Sequence, residues 1–129
     1  MTLDLVPGQW VHCTHKPTGG VWRGRVELVE KSTSLHSGMA IFLQRYPLDD
    51  PTGYTSVIND WQNWDIRLLT PADLERFGCV NVARFVGAPS LDPFEFVWDG
   101  TGWIRRGGDG GPFPSHLLTL VDVLAPGVE

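Results

Sequence analysis

His12-Cys13-Thr14-His15 is the densest group of metal-ligating side chains in the sequence. Imidazole and thiolate are both zinc donors, and a tetrahedral site would need Cys79 with His36 or His116 to complete it. On a strand Cys13 and His15 share a face while His12 points away, so the expectation is a buried cysteine, exposed histidines and no metal. A cysteine nucleophile, Cys13 or Cys79, needs a base and a third orienting group, and the sequence suggests no such group. Asp49, Asp50, Asp60 and Asp65 have the chemistry for acid–base work or for a divalent cation. They lie among turn formers, where aspartate is favoured for local hydrogen bonds. The glycines of Arg106-Gly107-Gly108-Asp109-Gly110-Gly111, beside Arg105, resemble a phosphate-cradling loop. The Lys-Ser/Thr of a P-loop and its strand-to-helix transition are missing, so a flexible connection is expected.

The aromatic residues are the stronger functional lead. Six tryptophans, Trp10, Trp22, Trp61, Trp64, Trp98 and Trp103, each lie in or beside a short β-like run. Trp carries a large apolar area and so sets where cores or binding surfaces lie, but it performs no chemistry. Trp61 and Trp64 flank a turn, and Trp98 and Trp103 flank a hairpin loop. With arginines nearby, such rings make anchors for a protein partner, or stack on a base. The candidate binding residues are therefore Trp61, Trp64, Trp98, Trp103, Arg23, Arg25, Arg105 and Arg106, with no catalytic residue, cofactor or metal expected.

The elements that must position these residues are mostly strands. Trp10 to His15 alternates, Lys16-Pro17-Thr18-Gly19-Gly20 supplies a turn, and Val21 to Glu30 returns. In that second strand Trp22, Gly24, Val26, Leu28 and Glu30 share the face expected to meet the core, and Gly24 is expected to mark a bulge or bend. Beyond the loop Lys31–Gly38, Met39 to Tyr46 reads as a central strand, and Tyr54 to Ile58 as a fourth. A helical turn at Asn59 to Trp64 precedes a fifth strand, Asp65 to Leu69. Thr70 is a good N-cap and Pro71 a good first residue for a two-turn helix stopped by Gly78. Cys79 to Val86 is a strand with Val80, Val82 and Val86 expected inside, against Phe85. Phe94 to Trp98 and Trp103 to Arg106 form a hairpin, and Ser115 is expected to cap a turn through Thr119 before a closing strand with Val121 and Val123.

At 129 residues the chain is long enough for one ordinary domain or two small lobes, here 1–69 and 70–129. Its 42% hydrophobic and 19% charged residues place it away from disorder. The net charge of −5 argues against bulk affinity for nucleic acid, which needs clustered Lys and Arg to displace counterions. Residues 1–48 carry five basic and three acidic groups, whereas 49–102 carry three and nine, so an acidic face is available to a basic partner or to solvent. No apolar run is long enough to span a bilayer and the start lacks signal-peptide regions. A cytoplasmic location with two free thiols, Cys13 and Cys79, is expected.

Five short strands with a helical turn before the last, opening on Gly8-Gln9-Trp10-Val11, resemble an Src-homology-3-like or Tudor-like small barrel over residues 7–69. With that resemblance over the N-terminal half, the expected fold is mainly β, a small barrel followed by a β-rich second lobe holding one or two short helices. Val97-Trp98-Asp99-Gly100-Thr101-Gly102-Trp103, then a Ser-led Leu-Leu turn and Val121-Asp122-Val123-Leu124-Ala125-Pro126, resemble small accessory proteins of actinobacterial phages. That likeness implies a phage-encoded or phage-derived binding protein with its target open; the leading expectation is a non-catalytic protein docking on a host factor or a virion subunit, in the host cytoplasm or the virion. Capture of a nucleotide or nucleic-acid end by Trp stacking with Arg23, Arg25, Arg105 and Arg106 is the competing expectation. An enzyme would need a polar cluster that the sequence does not reveal.

Overall fold

A computed structural model describes residues 5–31, 38–49, 53–75, 77–108 and 110–125; His36, Asp50, Asp109 and most of the Lys31–Gly38 loop lie outside them. The chain is mainly β and divides into two compact units, Met1–Leu69 and Thr70–Glu129. The N-terminal unit holds β1 (Trp10–His15), β2 (Val21–Lys31), β3 (Met39–Gln44), β4 (Thr55–Ile58) and β5 (Trp64–Leu68), in one antiparallel sheet ordered β4-β3-β2-β1-β5. β3, expected to be central, lies between β4 and β2, and β2 is the middle strand. A single 3-10 turn, Trp61–Asn63, lies between β4 and β5. Val11, Cys13, Val26, Ile41, Leu43 and Ile58 form the core, with Trp22, Trp61 and Trp64 packed against it.

Two expectations for β2 change. An extra residue, Glu27, shifts the register between Val26 and Leu28, and a one-residue slip exchanges the faces. Beyond it Val29 packs on the core while Leu28 is turned outward. Gly24 is not the bulge. A Cβ there would lie 2.6 Å from the Gln44 carbonyl oxygen, so glycine is required by close approach of two backbones.

In the C-terminal unit the helix expected from Thr70 to Gly78 is a single 3-10 turn, Pro71–Leu74. Thr70 and Asp73 form a capping box, but Leu74 is drawn fully into the core and Gly78 already has a left-handed φ of 68°. β6 (Val80–Phe85), β7 (Phe94–Trp98), β8 (Trp103–Arg105) and β9 (Leu118–Leu124) follow, ordered β8-β7-β6-β9, with a 3-10 turn at Ser115–Leu117. The closing strand thus starts at Leu118. Pro114 and not Ser115 occupies the N-cap position. An extra residue in β9, Val121, shifts its pairing with β6 between Val82 and Ala83. Val80, Asn81 and Ala83 are buried, whereas Val82, expected inside, is only partly so and Val86 is exposed.

The two units follow one plan. β1 and β6 have the same length and the same burial sequence, and each starts two residues after a positive-φ glycine, Gly8 or Gly78. Cys13 pairs with Trp22 as Ala83 pairs with Phe94, and Val26 pairs with Leu43 as Trp98 pairs with Trp103. The last strand of each unit follows a 3-10 turn and returns to the first, His15 opposite Trp64 and Phe85 opposite Leu118. Even the bond beside that pair repeats: Lys16 N–H donates to the Asn63 carbonyl at 2.7 Å, and Val86 N–H to the Leu117 carbonyl at 2.8 Å. The difference is the fourth strand. Where β4 pairs four residues with β3, the C-terminal unit has one bridge, Trp103 to Phe113. Pro112 and Pro114 flank Phe113, and proline has no N–H to extend a ladder.

Candidate functional site

The five-residue connection Lys16 to Gly20 sets Cys13 opposite Trp22, and the return of β5 sets His15 opposite Trp64. These two registers bring three rings to one end of the N-terminal sheet. Trp64 lies with its ring centroid 4.8 Å from that of His15 and 5.0 Å from that of Trp22, tilted by 52° and 44°. The Arg45 guanidinium, one residue past β3, continues the row 4.6 Å from the Trp22 centroid. The result is a four-member stack, His15–Trp64–Trp22–Arg45, of which every member is partly exposed.

Acidic residues hold both ends. Trp64 Nε1–H donates to Asp60 at 3.0 Å, and His15 Nε2 lies 3.7 Å from the same carboxylate. The indole hydrogen bond is the main cause that keeps the Asp60 carboxyl below its ordinary range. At the other end Asp49 accepts the Arg23 backbone N–H and Arg23 Nη1–H, and lies 3.8 Å from Arg45 Nη2. The stack is therefore fixed in place before any partner arrives.

Among the sequence-derived candidates, only Trp64 is a member of this stack. Trp61 packs on the core of the same unit, and Arg23 serves the stack indirectly through Asp49. Arg25 lies 3.9 Å from Glu27. In the C-terminal unit Trp103 is 0% exposed and donates its Nε1–H to Ser115 Oγ, which in turn donates to Glu75. Burial takes it out of any surface contact, and partly buried Trp98 meets it edge-on at 5.3 Å. Arg106 pairs with Glu95 at 3.1 Å. Arg105 lies 4.7 Å from the Phe94 centroid, the counterpart of Arg45 on Trp22. Trp22, His15 and Arg45 were not among the candidates. The Lys16 to Gly20 turn signals the place of Trp22; His15 and Arg45 join through the registers of β5 and β3.

The sequence-level chemistry is dispersed. Cys13 is buried in the core, while His15 Nδ1 faces the Thr18 hydroxyl at 2.8 Å. Among the described residues no three metal-ligating side chains come together. Burial first, then the Asp49 charge against partial relief from Arg45, pushes the Cys13 thiol up to about 12. Burial pushes Cys79 up to about 11, far from a reactive thiolate. Asp65 reaches Lys16 at 3.8 Å. Gly108, in the glycine loop, packs directly against the Arg105 guanidinium.

No family model, no curated protein and no solved structure matches the chain.

Proposed function

We propose that the protein acts by binding another protein, without catalysis, and that the His15–Trp64–Trp22–Arg45 stack is its docking strip. The observation that carries the proposal is the stacking itself. Each inner ring has two planar neighbours, so the four groups form one contiguous, partly exposed row. A strip of aromatic rings ending in a guanidinium has the composition of an interface hot spot. Its rings are already ordered, which lowers the entropic cost of docking. The small-barrel likeness of the N-terminal unit and the phage-accessory likeness of the C-terminal residues support the same role, on a host factor or a virion subunit.

Nucleotide capture needs an open ring face beside an uncommitted guanidinium. Arg23, Arg25 and Arg106 each have a carboxylate within 4 Å, and Arg105 already lies over the Phe94 ring, so protein docking is the better supported function.

The test is affinity capture from host lysate with the tagged chain, its Trp64→Ala and Arg45→Glu variants, and Tyr54→Ala as an exposed control outside the stack, each checked by circular dichroism. A stoichiometric protein held by the wild type and by Tyr54→Ala, and lost by Trp64→Ala and Arg45→Glu, is the expected result. A partner indifferent to both stack variants, or a nucleotide released on heating in place of a protein, overturns the proposal.

A further inference from the structure

β5 borders the N-terminal sheet, and its outer side is a run of open backbone groups. Leu69 N–H donates to the Trp10 carbonyl at 2.8 Å and Lys16 N–H to the Asn63 carbonyl at 2.7 Å. Bonded pairs alternate along an antiparallel ladder, so Asp65 and Arg67 turn their N–H and carbonyl groups toward β1, while Trp64, Ile66 and Leu68 turn theirs away. No other strand of the described residues pairs with that outer side. Trp64 N–H is already given to the Trp61 carbonyl, and the Leu68 carbonyl already accepts Arg67 Nη1–H at 3.2 Å. Among the described residues no bond reaches the Trp64 carbonyl, either backbone group of Ile66, or the Leu68 N–H. The matching strand of the C-terminal unit is blunted: β9 carries the Val121 bulge, and its Val123 N–H is held by Asp122 Oδ1 at 2.8 Å. β5 has no such device, and its pairing with β1 runs without a register shift.

An open edge is a template for another strand, and the order Trp64-Asp65-Ile66-Arg67-Leu68 says which one. Laid antiparallel on itself about Ile66, it sets Trp64 opposite Leu68, Asp65 opposite Arg67, and Ile66 opposite Ile66 of the second copy. The open backbone groups then match: each Leu68 N–H meets a Trp64 carbonyl and each Ile66 N–H meets an Ile66 carbonyl. The groups this pairing leaves out are the ones already bonded within the chain. Asp65 and Arg67 fall between the bonded pairs, where opposed side chains come closest, and opposite charges there are stabilising. Both are exposed, Asp65 at 77% even with Lys16 3.8 Å away. A slip of two residues, the smallest that keeps the outward groups facing, puts Asp65 on Asp65 or Arg67 on Arg67, so charge selects the register. The geometry points to this edge as the contact for a second copy of the chain, with two β5 strands joining their sheets. This contact stands whether or not the aromatic stack docks another protein.

The test is sedimentation equilibrium of the full chain from micromolar to millimolar concentration, where a reversible monomer–dimer equilibrium is the expected result. Asp65→Arg makes both charged positions of β5 cationic, and Arg67→Asp makes both anionic. Each variant alone therefore dimerises more weakly than the wild type, by roughly tenfold or more. An equal mixture of the two regains the dimer, because every arginine then faces an aspartate. Leu68→Pro removes an outward N–H, leaves the bonds to β1 in place and also weakens the dimer. Circular dichroism checks that each variant is folded. A wild-type chain that stays monomeric throughout, a dimer indifferent to the charge reversals or to Leu68→Pro, or a mixture that associates no better than its components overturns the proposal.

Discussion

Asn81 is the least satisfied residue of the described chain. It is 0% exposed between Phe96 and Val123 on the neighbouring strands, and neither its amide nitrogen nor its oxygen has a hydrogen-bond partner. Val11 holds the matching position in the N-terminal unit. A buried polar atom without a partner costs about 1–3 kcal/mol, so Asn81→Val raises stability by about 1–2 kcal/mol, read as a higher urea midpoint at unchanged slope. The thiols give a second prediction. Their folded values, about 12 and 11, lie above the ordinary 9.0. For such groups stability is fully present below the unfolded value and is lost as pH rises toward the folded one. Unfolding free energy, followed against pH, therefore falls from about pH 9 upward, and Ellman's reagent leaves both thiols intact at neutral pH until urea is added. The sequence made the burial of Cys13 legible, because alternation puts it on the face of Val11. Asn81 was not legible as a core residue, because Val80 and Val82 outbid it on hydrophobicity while the strand itself turned Asn81 and Ala83 inward.

At the scale of elements, what is local in cause was readable. The β7–β8 hairpin follows from Asp99-Gly100-Thr101-Gly102: Asp99 accepts the N–H groups of Thr101 and Gly102, at 2.8 and 2.9 Å, and the Thr101 hydroxyl. Those bonds, the Thr101 N–H first, keep its carboxyl below the ordinary 3.8. Their contribution is present above that value and is lost as pH falls through the folded one. Asp99→Ala lowers the melting temperature at neutral pH, and the difference from wild type shrinks in acid. Bulges were not readable, because Glu27 and Val121 are made extra by partner strands far away in sequence. The stack shared that limit: Trp64 stood out beside its turn, whereas Trp22, His15 and Arg45 join it only through cross-strand register. Gly24 belongs to the same class. Gly24→Ala forces a Cβ against the Gln44 carbonyl and destabilises by about 1–3 kcal/mol, measured by urea denaturation, with the loss confined to protection of the N-terminal unit in hydrogen exchange.

Over the whole molecule, the recurrence of one plan explains why the tryptophans were only a partial guide. In the N-terminal unit the ring next to the conserved geometry of guanidinium and strand is an indole, Trp22, and in the C-terminal unit it is a phenyl, Phe94. Ring type varies while place in the register does not, so counting tryptophans finds half of the pattern. Arg105→Ala is accordingly expected to cost about 0.5–1 kcal/mol for loss of one ring contact, and Arg45→Ala more, because it also loses the Asp49 carboxylate 3.8 Å away, in paired urea titrations. The segment Pro112-Phe113-Pro114 has a further effect. Phe113 spends its N–H on the Trp103 carbonyl, and neither proline has one to offer, so this three-residue segment presents no backbone donor to a passing strand. A foreign chain trying to zip onto it would find no hydrogen to accept and would leave its own carbonyls bare, which makes this margin a stop against fibril growth.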